Sequence, residues 1–429
     1  MITSGVVVNV KFLCFILQNL MAKNSLKDHR QIGAEQELFY IDEEVGTGLP
    51  QWLPKGATIR RVLEHYMTDL EIYEGYQHVI TAEIAKLDLY KKSGHWKHYQ
   101  ESMFPHMKRG GEEYELRPMN CPHHIQIFKS RPRSYRELPL RLAEFGTFYR
   151  WENSGELFGL MRVRGMTLND AHIFCSMEQL QDEFIKAVRL IEIVYKDLNL
   201  KNFWYRLSLH DPKDKEKYGD KPELWKGSEK AIKDALSEAA LDYKEVVGDA
   251  AFYGPKLDVQ IPNALGKDET VSTVQIDFYQ PDNFDLGYIG EDGKKHPVVV
   301  IHRGIISTLE RMMAFLIEQY QGAFPTWLSP VQVAIIPITE RNNKYGQKVL
   351  EQLKSSNIRV ELDTRAETMQ AKIRDAQLQK VPYMLIIGGR EEEANQVSVR
   401  TREGQDLAGM KLEKFLDKIK KEIATKGGL

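Results

Sequence analysis

One cysteine thiolate and two histidine imidazoles make a donor set that holds zinc and leaves a fourth position open for chemistry. Cys121, His172 and His302 offer that set. Cys121 lies in Met119-Asn120-Cys121-Pro122-His123-His124, where Pro122 suits the first turn of a helix. A thiol at a helix N-terminus is biased towards thiolate by the dipole. Asp170 and His172 stand two apart in a strand-like run, so they project to one side. His302 ends a second such run, 297–303 (PVVVIHR). No short-range zinc spacing links the three. On spacing alone, a buried cysteine with two hydrogen-bonded histidines is the plainer reading.

A second chemistry is oxyanion binding. Pro139–Glu152 reads as extended, a polar loop (Asn153–Gly159) follows, and Leu160–Arg164 reads as the returning strand. Period-two alternation then puts Arg150 and Glu152 on one face and Arg162 and Arg164 on the facing strand. Guanidinium groups so placed grip phosphate or carboxylate oxygens in pairs. A solvated, cross-strand-paired sheet face accounts for the same pattern. Arg311 is a lone charge in the apolar helix expected from Ile305 to Tyr320. It either snorkels or enters a phosphate-bearing pocket.

The elements that must carry these residues read as α+β. Residues 57–71 form an amphipathic helix, with Ile59, Val62, Leu63, Tyr66, Met67 and Leu70 at helical spacing. Residues 170–175, 271–279 and 297–303 are strand candidates that do not alternate strictly with helices, which favours an antiparallel sheet over a doubly wound fold. After Phe324-Pro325-Thr326-Trp327 the pattern changes. Strands at Val331–Ile338, Ile358–Asp363, Tyr383–Ile387 and Val397–Arg402 interleave with helices at Tyr345–Ser356, Met369–Gln379 and Leu412–Ile423, a small α/β module. The expected domains are 23–327 and 328–429, after an extension over residues 1–22. Residues 1–20 are apolar but lack the charged start and cleavage site of a signal peptide. Met21-Ala22-Lys23-Asn24 resembles a second start, so the extension is set aside.

A chain of 429 residues suits two or three domains. A formal net charge of −2 gives no global field for nucleic acid, so any such site is local. Leu328–Leu429 is mildly basic, with 18 Lys+Arg against 14 Asp+Glu. Three cysteines exclude a disulfide framework and point to a reducing, cytoplasmic setting. No apolar run reaches membrane-spanning length.

Taken in order, a set of strings over about Asp28–Lys426 resembles the threonyl-tRNA synthetases. They are Gly94-His95-Trp96, RPMNCPHH (117–124), SYRELPLRLAEFGTFYRWENSG (134–155), GLMRVRGMTLNDAHIF (159–174), AFYGPKLD (251–258), STVQIDF (272–278), HRG with STLERMMAFLIE (302–318), and FPTWLSPVQV (324–333). The resemblance implies a class II synthetase catalytic domain on an antiparallel sheet, followed by a small α/β anticodon-binding domain. It implies one zinc ion per subunit on Cys121, His172 and His302, binding L-threonine through its amino and hydroxyl groups. Valine has no hydroxyl to offer, and a site built for one rejects it. Asp170 would accept from the hydroxyl, with Tyr253, Gln275, Met119 and Lys256 lining the amino-acid and α-phosphate region. Arg150 would hold the ATP α-phosphate and the substrate carboxylate. Glu152 would face the adenine amine, and Arg162 and Arg311 the γ-phosphate and adenine face, with Mg2+ bridging phosphates. His95 would assist transfer to tRNA(Thr). Glu391 and Arg400 fall on anticodon-reading positions, although a surface ion pair explains them too.

Three departures from the family stand out. Ala82 replaces a proline in the segment Val79–Glu83, at the expected homodimer interface. Leu168 and Thr270 stand where some members have glutamine. The chain begins at the catalytic region, so serine misactivation without correction by this chain is expected, and a separate trans-editing protein is a candidate partner. A non-catalytic paralogue that binds tRNA-like RNA as a regulator is the alternative, opposed by the retained Arg150, Arg311 and metal donors.

Overall fold

A computed structural model of the chain describes residues 26–219, 221–263 and 266–427. The extension 1–22 and Cys14 lie outside the described residues. The described chain forms two compact units, one of residues 38–261 and 268–314 and the other of the remainder. Among the described residues no helix is long and apolar enough to cross a membrane.

The larger unit is built on an eight-stranded sheet. Its strands are β1 (Gln77–His78), β2 (Leu140–Tyr149), β3 (Gly165–Cys175), β4 (Trp204–Leu209), β5 (Tyr243–Val247), β6 (Lys256–Pro262), β7 (Asp268–Asp277) and β8 (Val299–Thr308). They lie in the order β5-β4-β6-β7-β8-β3-β2-β1. The central pairs β7–β8, β8–β3 and β3–β2 are antiparallel, and parallel pairing is confined to the two ends. β8 is buried along nearly its whole length, which its Val/Ile run allows. Helix α1 (Pro54–Tyr73) starts at a proline and buries Ile59, Leu63 and Met67, as its periodicity requires. Helix α2 (Cys121–Lys129) has Pro122 in its first turn, as expected.

Two boundaries differ from the sequence reading. The helix expected from Ile305 begins at Leu309, because β-branched Ile305 and Ile306 continue β8. The strand then bulges between Gly304 and Thr308, Ser307 takes a left-handed φ of 55°, and Thr308 Oγ1 caps the Arg311 amide at 3.1 Å. The resulting helix is α3 (Leu309–Tyr320). The returning strand of the hairpin begins at Gly165, not Leu160. Residues 150–164 form a closed loop instead, held by a bridge between Phe158 and Arg162 and by Arg150 N donating to Arg164 O at 2.9 Å.

The second unit carries a five-stranded sheet. Val333–Pro337 lies between Val360–Leu362 and Tyr383–Ile387, parallel to both, and Gln396–Thr401 and Asp406–Lys411 follow antiparallel beyond Tyr383–Ile387. Helices Asn343–Ser355, Met369–Leu378 and Leu412–Ala424 lie close to the expected ranges. Its core joins Val333, Ile335, Leu385, Ile387, Val397, Phe415 and Ile419. The strand Asp406–Lys411 and the short helix Gly389–Ala394 were not foreseen, since neither has a periodic apolar pattern.

Candidate active site

The register of three adjacent strands writes the site. His172 on β3 lies directly opposite His302 on β8, and His302 lies opposite Gln275 on β7. Two residues further on, Asp170, Gly304 and Thr273 form the next row. Direct cross-strand neighbours share a face, so these side chains floor one cavity. Its volume is about 560 Å³. Gly304 leaves the floor open there: a Cβ would meet nothing closer than 3.5 Å and would stand in the cavity. Gly254 shapes the wall, since a Cβ at that position would lie 1.7 Å from Ile276 O.

Helix α2 brings Cys121 to this floor. One donor atom each from Cys121, His172 and His302 lies within 4.8 Å of the others, and all three residues are buried. His302 Nε2 is 2.8 Å from Asp277 Oδ2, which leaves Nδ1 for a further partner. His172 Nδ1 is 2.9 Å from His124 Nδ1, and its Nε2 is buried without a partner. The orphaned nitrogen and the thiol-plus-imidazole chemistry fit a zinc ion. The expected thiolate at Cys121 is not favoured by the protein alone. Burial pushes the thiol well up, and Asp170 and Asp277 push it further, outweighing the helix terminus. Burial likewise raises the Asp170 carboxyl to about 6.

The walls carry the other expected residues. Tyr253 donates to Gln275 Oε1 at 2.5 Å and stacks on His302 with centroids 4.8 Å apart. Gln275 donates to Thr273 Oγ1, and Thr273 donates to Asp258 Oδ1, at 3.0 and 2.8 Å. Lys256 Nζ closes the chain on Asp258 Oδ2 at 2.9 Å. Met119, Leu168 and Thr270 also face the cavity. At its mouth Arg150 Nε donates to Pro118 O at 3.0 Å. Arg311 is held by Met161 O (3.2 Å) and Thr270 O (3.0 Å), and burial lowers its pKa.

Some expected residues stand elsewhere. Arg162 is nearly half exposed and grips Glu152 Oε2 at 2.8 Å. Arg164 donates to the Glu152 carbonyl and covers Trp151. His95 is fully buried behind Cys121, with Nε2 3.4 Å from Sγ and Nδ1 2.6 Å from Ser93 Oγ. Burial, then the neighbouring His302 and Arg150, hold it near 3, so it is neutral. In the second unit Glu391 accepts from the Gly388 amide (2.9 Å) and Ser398 Oγ (2.9 Å), while Arg400 pairs with Asp406 at 3.2 Å.

Sequence reasoning passed over His124, Glu144, Asp277 and Gln280, which brace the donors. Signals existed: Cys121 and His124 are three apart on a helix, and Gln275 and Asp277 two apart on a strand.

Residues 101–320 match the family model "tRNA synthetase class II core domain (G, H, P, S and T)", and 332–422 match "Anticodon binding domain". A threonine–tRNA ligase of Halalkalibacterium halodurans is 54% identical over 404 residues, covering 94% of this chain and 63% of that protein. Threonine–tRNA ligase 1 of Bacillus subtilis is 54% identical over 399 residues, covering 93% and 62%. The chain therefore spans a little under two thirds of these relatives. Among solved structures, the RNA-binding domain of threonyl-tRNA synthetase from Cryptosporidium parvum Iowa II superposes with a TM-score of 0.88 at 37% identity, covering 94% of this chain and 99% of that one.

Proposed function

The chain belongs to the class II tRNA synthetases of the G, H, P, S and T group, among the threonyl enzymes, and from that premise we propose that it is a threonine–tRNA ligase. It would activate L-threonine with ATP and pass it to the 3′ end of tRNA(Thr). The observation that carries this reading is the buried cluster of Cys121, His172 and His302 on the cavity floor beside Asp170. Cys121 Sγ, His172 Nε2 and His302 Nδ1 would hold the zinc. When bound, zinc supplies a Lewis acid that recognises an amino group and a hydroxyl together.

The chain's own residues do the rest. Asp170, on the cavity floor beside the metal donors, accepts from the threonine hydroxyl. Arg150, at the cavity mouth, would hold both the threonine carboxylate and the α-phosphate and steady the charge that grows as carboxylate oxygen attacks phosphorus. Arg311, fixed by two carbonyls, offers its remaining donors to the nucleotide phosphates, which Mg2+ accompanies. Glu152 and Arg162 turn together, one towards the adenine amine and the other towards the γ-phosphate. Lys256 and the Tyr253–Gln275 pair close the wall around the amino acid. His95 bears on Cys121 and so assists the site by holding a donor. Glu391 and Arg400 contribute to anticodon reading, with Arg400 exchanging Asp406 for RNA.

A homodimer is part of the same reading. Ile80 is 97% exposed and Tyr73 84%, with Ile72 and Ile84 also exposed, apolar side chains of the kind a partner would cover.

The test is amino-acid-dependent ATP–pyrophosphate exchange on zinc-loaded protein. Threonine should support strong exchange, serine about 10–200-fold less for its missing methyl, and valine none. Absence of exchange with threonine on folded, metallated protein would overturn the proposal.

A further inference from the structure

The zinc reading above underlies a second step. We propose that His124 and Glu144 are positioning residues for the metal centre, and that their hydrogen-bonded relay anchors His172 to Thr81 in the segment 79–83. His124, Glu144 and Asn120 are almost wholly closed to solvent, and Thr81 at the far end is half-buried.

Its protons are fixed from the two ends. Glu144 accepts from the Thr81 amide (3.0 Å), Thr81 Oγ1 (2.8 Å), Arg117 Nη1 (3.2 Å) and Asn120 Nδ2 (3.1 Å). A carboxyl ringed by that many donors is a carboxylate. His124 Nε2 faces it at 3.2 Å. A lone pair there would be repelled, so Nε2 carries the proton and donates. Asn120 Nδ2 is as close to that nitrogen, but donates to the same carboxylate oxygen. His124 Nδ1 then faces His172 Nδ1 at 2.9 Å. Metal binding through His172 Nε2, a buried nitrogen without a partner among the described residues, needs its lone pair there, so His172 Nδ1 carries the proton and donates to His124 Nδ1.

The two metal-binding imidazoles are thus oriented by different carboxylates. Asp277 acts on His302 directly, and Glu144 acts on His172 through a second imidazole. Such outer partners set ring orientation and ligand basicity. The distinctive feature is where the relay ends. Thr81 touches none of the three donors, and it adjoins Ile80, the most exposed large apolar side chain among the described residues. Arg117 Nη1 locks it, donating to Thr81 Oγ1 at 2.6 Å. The segment 79–83 and the metal centre are therefore joined by one polar network.

Zinc dissociation constants, measured on the full chain by competition with a chromophoric chelator, test this. Cobalt(II) absorption reports the coordination geometry independently of activity. Glu144→Gln and His124→Phe should weaken zinc about 10–100-fold and alter the cobalt spectrum. Thr81→Val, which keeps shape and removes the hydroxyl that donates to Glu144 and accepts from Arg117, should weaken zinc about 2–10-fold, the factor for one net hydrogen bond. Metal-free Thr81→Val should lose a similar factor in its folding equilibrium, about 1 kcal/mol in urea, and stay folded, and it carries the test should Glu144→Gln not fold. His302→Ala is the control that removes a donor. Wild-type affinity in both Glu144→Gln and Thr81→Val, with His302→Ala impaired, refutes the relay and leaves the metal reading standing. A wild-type chain that takes up no stoichiometric zinc, indistinguishable from His302→Ala, refutes the metal reading and the relay with it.

Discussion

Glu310 sits one residue before Arg311 in α3, and its carboxyl is buried. It accepts the Thr167 amide at 2.9 Å and meets Arg60 Nη1 at 3.4 Å. Burial pushes it up from the ordinary 4.5 to about 7, with Arg60 and the Thr167 amide opposing. An acid whose pKa is higher in the folded state binds its proton more tightly there. Its contribution is fully present below pH 4.5 and is lost as pH rises through 7. At about 1.36 kcal/mol per pH unit the gap corresponds to roughly 3 kcal/mol. Arg60 is partly exposed and helps the charged form, so about 2–3 kcal/mol is the working figure. Glu310→Gln keeps an oxygen for the Thr167 amide and removes the titration. Urea unfolding at pH 4.5 and pH 8 measures the difference. The wild type should lose about 2–3 kcal/mol more than the variant across that interval. Other titrating groups, Asp170 among them, are common to both proteins and cancel. Two pH–stability curves running parallel to within about 0.5 kcal/mol would refute the reasoning.

Asp277→Asn puts an amide donor where Asp277 Oδ2 now accepts from Gln280 Nε2 (2.7 Å) and His302 Nε2 (2.8 Å). Zinc affinity should fall about 10–100-fold, read by chelator competition. Arg303 and Glu71 form a wholly buried ion pair at 2.6 Å on the opposite face of the sheet, so Glu71→Ala leaves a buried cation alone. Urea denaturation should show a loss of about 3–5 kcal/mol. Arg400→Ala should weaken tRNA(Thr) binding by about 1–3 kcal/mol at every salt concentration and relax the preference over other tRNAs, while leaving pyrophosphate exchange unchanged. Filter binding across a salt series reads the first and exchange the second.

Much of the fold was legible from pattern. The helical spacing of Ile59, Leu63 and Met67 depends on local chemistry and appears as read. Boundaries slipped where local signals conflict. Ile305 and Ile306 suit a strand or a buried helix, and the pairing of β8 with β3 on either side of them, at Gly304 and Thr308, settles the choice. Arg162 and Arg164 were read as strand residues because the loop that holds them is closed by contacts with Glu152 and Arg150, which no local pattern announces.

The sequence by itself determined the donor types, the alternation that makes Asp170 and His172 share a face, and the helix that begins at Cys121. Family strings supplied the link between those residues, which spacing alone left open. Tertiary structure decided that His172 and His302 stand opposite each other, that Cys121 reaches them, and which nitrogen of each imidazole remains for a metal. It also decided that the Cys121 thiol is desolvated rather than activated by its helix. The physical reason is that strand register and burial are collective. A shift of one residue between β3 and β8 would turn His172 to the other face, and the penalty for charging a thiol depends on every atom that excludes water from it.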